Sequence, residues 1–447
     1  MMMRVLLLLS VVFVMFVTGC SSNQTSNPDA EVVRVALAGR ALEDGIDPIT
    51  GAETIGLNTF LEESFYPNHP DIRLELTTVP WENARAKINS MLQSGDVDVI
   101  YTGGAFASVY YQDGLIRGLN DLIEGDETFD PAAYLDGAWN ESYSTKSFDQ
   151  QTQFGIPAVL GRRMTVYDKT LFDQWDVEYL SENPTPEEIL EKASQMTGTN
   201  PVTGEENYGL WYSGNALNGS TFVALAHYFG AQGAEGTLDN LGEINWNLNS
   251  PQIVDILSWM EEAVPYMPPA FINGGGNENF GTENNNVAIV LDGTGATATS
   301  HYRETGETTM IDRFIPVMNL GPNGEGWVAV DPYIMAKDAQ NVEASWEVLK
   351  FLAGKEAQEY GYENFMLTPT LSEADFVLEN DTYTQKAMEI AEISKTLLLD
   401  EANPFFASDI VPAINTFLSN AYNGNAPNKE AFLTDLQQRA ENWSNNQ

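Results

Sequence analysis

The chain has 447 residues, 43% of them hydrophobic and 11% aromatic, which excludes a disordered polymer and leaves room for two or three domains with substantial cores. Its 64 acidic and 21 basic residues give a formal net charge of −43. A field of that sign repels nucleic acid and anionic lipid, so no nucleic-acid partner is expected; the acidity fits either a halophilic source or a surface protein that is simply acidic.

Arg4 ends a short n-region, and an apolar stretch from Val5 to Val17 and the small pair Thr18-Gly19 precede Cys20. That is signal-peptide layout, too short to span a bilayer. Cys20 is the only cysteine, so neither an internal disulfide nor a CxxC site can form. The run Val17-Thr18-Gly19-Cys20 resembles the bacterial lipobox, whose cysteine carries a lipid and becomes the first residue after cleavage. An ordinary signal peptide with an incidental cysteine is the plainer alternative. Residues 1–19 are thus read as a lipoprotein signal peptide and 20–31 as a lipidated tether, whose polar run Ser21 to Ala30 reaches about 17 Å as a flexible coil. The protein is expected outside the cytoplasm, at a membrane only through this anchor.

Val32 to Gly39 is β-branched and short, a buried strand entering a glycine turn. Leu57, Phe60, Leu61 and Phe65 mark a helix face closed by Pro67, and Ile72, Leu74 and Leu76 alternate as a second strand. Ala84, Ile88, Met91 and Leu92 mark a helix broken at Gly95, before a strand from Val97 to Ile100. This order predicts a parallel α/β sheet. Asn273 to Asn286, rich in glycine and asparagine, reads as a surface excursion, with a mobile flap as the alternative. Next come an apolar strand from Val287 to Leu291 and a helix carrying Val342, Trp346, Leu349 and Leu352. No repeat of 20 to 50 residues argues for a solenoid.

Four stretches carry a resemblance: Phe65 to Gly104, with its Trp81, lysine-bearing helix and Asp-rich strand; Phe154 to Phe172, with Gly-Ile-Pro and Tyr-Asp-Lys; Pro184 to Thr197; and Gly326 to Thr370, ending in Pro-Thr. Together they are similar to the family 1 extracellular solute-binding proteins of ABC importers, the maltose-binding-protein-like family. The chain departs from the pattern at "GTENNNVAIV", which lacks the usual lysine and methionine, and at Gly161-Arg162-Arg163, where an acidic or small residue often sits.

The resemblance implies a two-lobed α/β fold of the periplasmic-binding-protein type (class II), with a hinge between the lobes. It places crossings near Gln153 to Pro157, Val290 to Gly293 and Lys337 to Asn341. Lobe one would comprise about 32–153 plus 292–338, and lobe two 154–291 plus 339–447. Ligands of open α/β sheets bind beyond the carboxyl ends of the strands, which nominates Arg40 after the first strand and Tyr101, Gly103, Gly104 and Phe106 after the third. The resemblance adds Trp81, Gly161, Arg162, Arg163, Trp211, Tyr212, Asp292, Gly293, Trp327 and Asp331. Aromatics that stack on pyranose C–H faces, beside carboxylates and guanidinium groups for the hydroxyls, suit a carbohydrate. Each tryptophan could equally be core. Arginines in the cleft would favour a uronate or another anionic solute, whereas arginines paired with surface carboxylates would not. On an extended strand, Arg162 and Arg163 cannot both point inward.

The implied function is the lipid-anchored solute-binding component of an ABC importer, a monomer without cofactor or metal that delivers sugar to the permease transmembrane subunits. A surface glycan-binding adhesin is the alternative. An enzyme is not expected: HExxH, GxSxG, Walker and GxGxxG motifs are absent, and His69, His227 and His301 lack metal-ligand spacing.

Overall fold

The computed structural model describes residues 30–46, 52–212, 219–399 and 402–447. Cys20, the signal peptide and most of the tether lie outside the described residues.

Strand β1 (Glu31–Ala38) is buried along most of its length, as its valine and leucine content predicts. Helix α1 (Leu57–Ser64) buries Leu57, Phe60 and Leu61, and β2 (Ile72–Val79) pairs parallel with β1. Helix α2 (Trp81–Ser94) follows directly after Pro80 and stops at Gly95, whose left-handed backbone (φ 68°) caps it. Then β3 (Val99–Tyr101) joins β1 on its other side and α3 (Gly104–Gln112) leaves it. After the short helix α4 (Asp136–Trp139), β4 (Gly155–Gly161) carries the Gly-Ile-Pro segment.

The chain then enters a second layer. It contains β5 (Met164–Asp168), β6 (Gly198–Thr199), β7 (Glu206–Trp211), helix α5 (Ser220–Phe229), β8 (Val287–Gly293), helix α6 (Ala296–Thr305) and β9 (Phe314–Val317). It returns through β10 (Ala329–Met335), α7 (Val342–Ala353) and α8 (Lys355–Phe365), and crosses once more to α9 (Thr382–Ile393).

Two five-stranded sheets result, ordered β2-β1-β3-β10-β4 and β9-β5-β8-β7-β6, each over its own large hydrophobic core. The first sheet is mixed rather than wholly parallel. β10 runs antiparallel to both β3 and β4, because β4 carries the chain out of the lobe and β10 brings it back, with no crossover helix to set them parallel.

Sheet membership moves the expected lobe boundaries. The strand at 155–161 belongs to the first sheet, so the first crossing is Gly161 to Met164 and not Gln153 to Pro157. No crossing occurs at Val290 to Gly293: α6 folds back on the second lobe, where Ala298 shares a core with Met164, Val166 and Phe314. Nor does one occur at Lys337 to Asn341, since Val348, Leu349 and Leu352 of α7 fill the first core. The other crossings lie between β9 and β10 and between α8 and α9. Among the described residues no helix is long and apolar enough to cross a membrane.

Candidate functional site

The first half of the site forms where β1 and β3 end and the antiparallel β10 begins. Gly39 turns the chain at φ +63°, and a Cβ there would lie 2.1 Å from Nε1 of Trp81. Glycine thus lets the indole rest on the turn. Arg40 follows, its guanidinium carbon 4.1 Å from the centroid of the Tyr101 ring. Tyr101 meets Trp81 edge-to-face at 6.2 Å, and its hydroxyl donates to Oδ2 of Asp331 at 3.3 Å. The backbone N–H of Gly104, the first residue of α3, also donates to the Asp331 carboxylate. Gly103 leaves room beside it: a Cβ would sit 3.8 Å from Oδ1 of Asp331 and 3.7 Å from Phe106. Burial pushes the Asp331 carboxyl up to about 6, against the opposing pull of Arg40, Tyr101, Gly104 and Arg163.

That influence of Arg163 ties the second half of the site to the first. Gly161 packs on Ala329, where a Cβ would come within 2.8 Å of the alanine methyl. Arg163 then aims Nε at Oδ1 of Asp292, 3.3 Å away, with its guanidinium 5.9 Å from the Trp327 ring. The backbone carbonyl of Arg163 accepts from Nδ2 of Asn319 at 3.0 Å, which fixes the crossing. Asp292 ends β8 in the left-handed region (φ 62°). Burial raises its carboxyl, while Arg163 and the Ser220 hydroxyl at the start of α5 pull it back. Beyond this pair lies a cavity of about 270 Å³, walled by Trp211, Phe280, Gly293 and Thr297 and edged by Asn277 and Glu278. Trp211 is held by a bond from Nε1 to the carbonyl of Gly275 at 2.8 Å.

Most of the nominated residues thus fall into two facing sets, Arg40, Trp81, Tyr101, Gly103, Phe106 and Asp331 on one side, Arg163, Trp211, Asp292, Gly293 and Trp327 on the other. Four nominations change, the first being Gly161, whose missing side chain lets the strand pack on Ala329. Tyr212 is fully buried, with its hydroxyl on the carbonyl of Met260 at 3.2 Å, so it is a core residue. Arg162 turns away from Arg163, with Nη2 3.4 Å from the carbonyl of Met366. Gly104 has a structural role as well, since a Cβ would fall 2.1 Å from Oγ of Ser144.

Sequence reasoning missed Tyr333, which sits two residues after Asp331 on the same face of β10 and meets the Tyr101 ring at 5.2 Å, tilted by 46°. It also missed Asn277 and Glu278, whose loop read as a surface excursion but lines the cavity. Buried polar atoms at the site lack a full hydrogen bond among the described residues: Nε of Arg40 has no partner, and Nε of Arg163 and Oδ1 of Asp292 face only each other, as an ion pair outside hydrogen-bond geometry. Such groups are what a hydroxyl-rich ligand satisfies. No three His, Cys, Asp or Glu side chains gather as metal ligands among the described residues.

Two sheets, each with its own core, joined by three crossings with polar groups converging between them, define a two-lobed α/β binding protein. The same architecture occurs in the sugar-binding protein MalE from Xanthomonas citri, at a TM-score of 0.74 and 17% identity over 93% of this chain and 97% of that one. It occurs also in an ABC substrate-binding protein from Listeria monocytogenes in complex with cycloalternan, at a TM-score of 0.65 and 18% identity over 93% and 99% of the two chains. A solute-binding protein from Agrobacterium vitis with bound D-mannitol matches at 0.64 and 18% identity over 93% and 98%. A binding protein of Brucella abortus (strain 2308) is 20% identical over 304 residues, 66% of this chain and 68% of that one. Residues 51–359 match the family model of the bacterial extracellular solute-binding proteins, and the chain belongs to that family.

Proposed function

We propose that the protein is the solute-binding component of an ABC importer, anchored outside the cytoplasm by a lipid on Cys20, and that it captures a neutral carbohydrate between its lobes for delivery to a permease. The sugar, cycloalternan and mannitol named for its structural neighbours support a carbohydrate. The observation that carries the neutral charge is the pairing at the site. Arg163 pairs with Asp292 at 3.3 Å, and Arg40, stacked over the Tyr101 ring, lies within electrostatic reach of Asp331, so each guanidinium has a carboxylate to balance it and no net positive charge selects a uronate. Trp81, 43% exposed, supplies a face for pyranose C–H groups, and Arg40, whose Nε has no hydrogen-bond partner among the described residues, and the Arg163–Asp292 ion pair supply hydroxyl partners. A ligand that touches both lobes only when they are shut shifts the open–closed equilibrium towards the shut form, which is what a permease would recognise.

The test is a thermal-shift screen against neutral oligosaccharides, uronate oligosaccharides, polyols and amino acids, with the sugars assayed for breakdown after long incubation. Binding to the native state raises Tm by linkage. A rise with neutral oligosaccharides, returned unchanged, is expected. A rise with uronates alone would overturn the neutral assignment, and hydrolysed sugar would turn the binder into an enzyme.

A further inference from the structure

A cavity of about 390 Å³ lies apart from the cleft, where the chain crosses from α8 to α9. Its walls come from both lobes: Tyr362 and Met366 at the end of α8, Tyr302 and Arg303 on α6, and Phe376 and Leu378 on the connecting segment. The cleft cavity and this one share only Tyr383, whose ring lies so close to Gly295 that a Cβ there would come within 2.2 Å.

The wall is organised. Tyr362 donates its hydroxyl to Oδ2 of Asp381 at 3.0 Å and accepts from the N–H of Leu378 at 3.2 Å, so it ties α8 of the first lobe to the start of α9. Its ring meets Phe376 at 5.9 Å. At the rim, Nδ2 of Asn380 donates to the Tyr302 hydroxyl at 2.7 Å. Arg162, turned from the cleft, sits behind Met366 and within electrostatic reach of Asp381, and its buried Nη1 has no hydrogen-bond partner among the described residues. Leu378 stays 55% exposed at the mouth.

We propose that this cavity is a second ligand site, separate from the cleft, that takes a neutral amphipathic ring compound and biases the angle between the lobes. The apolar body follows from the aromatic, methionine and leucine walls. Neutrality follows from the charge balance around the cavity: Arg303 and Glu363 line it with opposite signs, and Asp381 in the wall is balanced by Arg162 buried behind Met366, so no net charge selects an ion. The bias follows because both lobes supply walls: an occupant has different contacts in each lobe arrangement, and a ligand shifts an equilibrium by its differential affinity. The bias rests on the hinge closure proposed above, while the site itself does not.

A fluorescence titration of the purified protein with N-phenyl-1-naphthylamine, a neutral amphipathic ring probe, tests it. Saturable enhancement is expected in the native protein, at least tenfold weaker in Leu378→Glu and unchanged in Trp81→Ala. No saturable signal, or a loss in Trp81→Ala with none in Leu378→Glu, would overturn the site. Small-angle scattering at saturating probe should show a changed radius of gyration, and an unchanged one with binding retained would overturn the bias. A sugar that still raises Tm in Leu378→Glu separates failure here from failure of the transport reading.

Discussion

Trp81 is 43% exposed, whereas Trp211, Tyr212 and Trp327 are all nearly buried. Trp81→Ala should therefore weaken sugar binding about tenfold, the scale of one aromatic contact, with little change in Tm. Tyr212→Phe should do the opposite, keeping the affinity and costing about 1 kcal/mol for the buried hydroxyl bond to Met260. Calorimetric titration and thermal unfolding of the two variants check this, and reversed effects would put Tyr212 in the cleft. Sequence alone could not separate these aromatics, because Trp211 and Tyr212 are neighbours and which one reaches the cleft depends on strands 80 residues away. His227 makes a second test. Burial holds its imidazole down at about 4, beside Glu325 at 3.5 Å. As pH falls from about 6.5 towards 4 the unfolded chain takes a proton that the native state refuses, so stability is lost, on the order of 2–3 kcal/mol. Asp331 works the other way. Its carboxyl is raised to about 6, so between about pH 4 and 6 the native state keeps a proton that the unfolded chain gives up, and acidification through that window stabilises. Urea unfolding at pH 7 and 4.5 should show a smaller acid loss in His227→Gln than in the parent chain; equal losses would contradict the assignment.

The elements divide by how locally they are determined. Strands β1 to β3 and helices α1 and α2 were legible because β-branched runs, helical spacing and the Gly95 cap are local signals. The direction of β10 was not, since antiparallel pairing with β3 and β4 follows from where the chain re-enters the lobe. The crossings were misplaced for the same reason: Gly161 to Met164 is a break between two buried strands, and nothing in the apolar pattern marks which sheet each joins. The start of α3 shows how tightly the elements are set. A Cβ on Gly104 would fall 2.1 Å from Oγ of Ser144 and 2.3 Å from the carbonyl of Val330. Gly104→Ala should therefore push α3 off β10, destabilise the fold by about 1–3 kcal/mol and weaken sugar binding through the displaced Asp331 contact. Unfolding and titration that match the parent chain would mean that the helix shifts without cost.

At the scale of the whole molecule the net charge of −43 sets the response to salt. Self-repulsion destabilises the compact state, and raising salt from 0.1 to 1 M shortens the Debye length from about 10 to about 3 Å. Tm should rise steadily with sodium chloride; a flat or falling Tm would show that the carboxylates are already compensated. The two cores, three crossings and site divided between lobes make one further demand, that the lobes move together when the sugar binds. The most direct measurement is small-angle X-ray scattering of the protein with and without a saturating neutral oligosaccharide chosen by its rise in Tm. A smaller radius of gyration in the loaded protein is the predicted result, and an unchanged radius at full occupancy would contradict capture by closure.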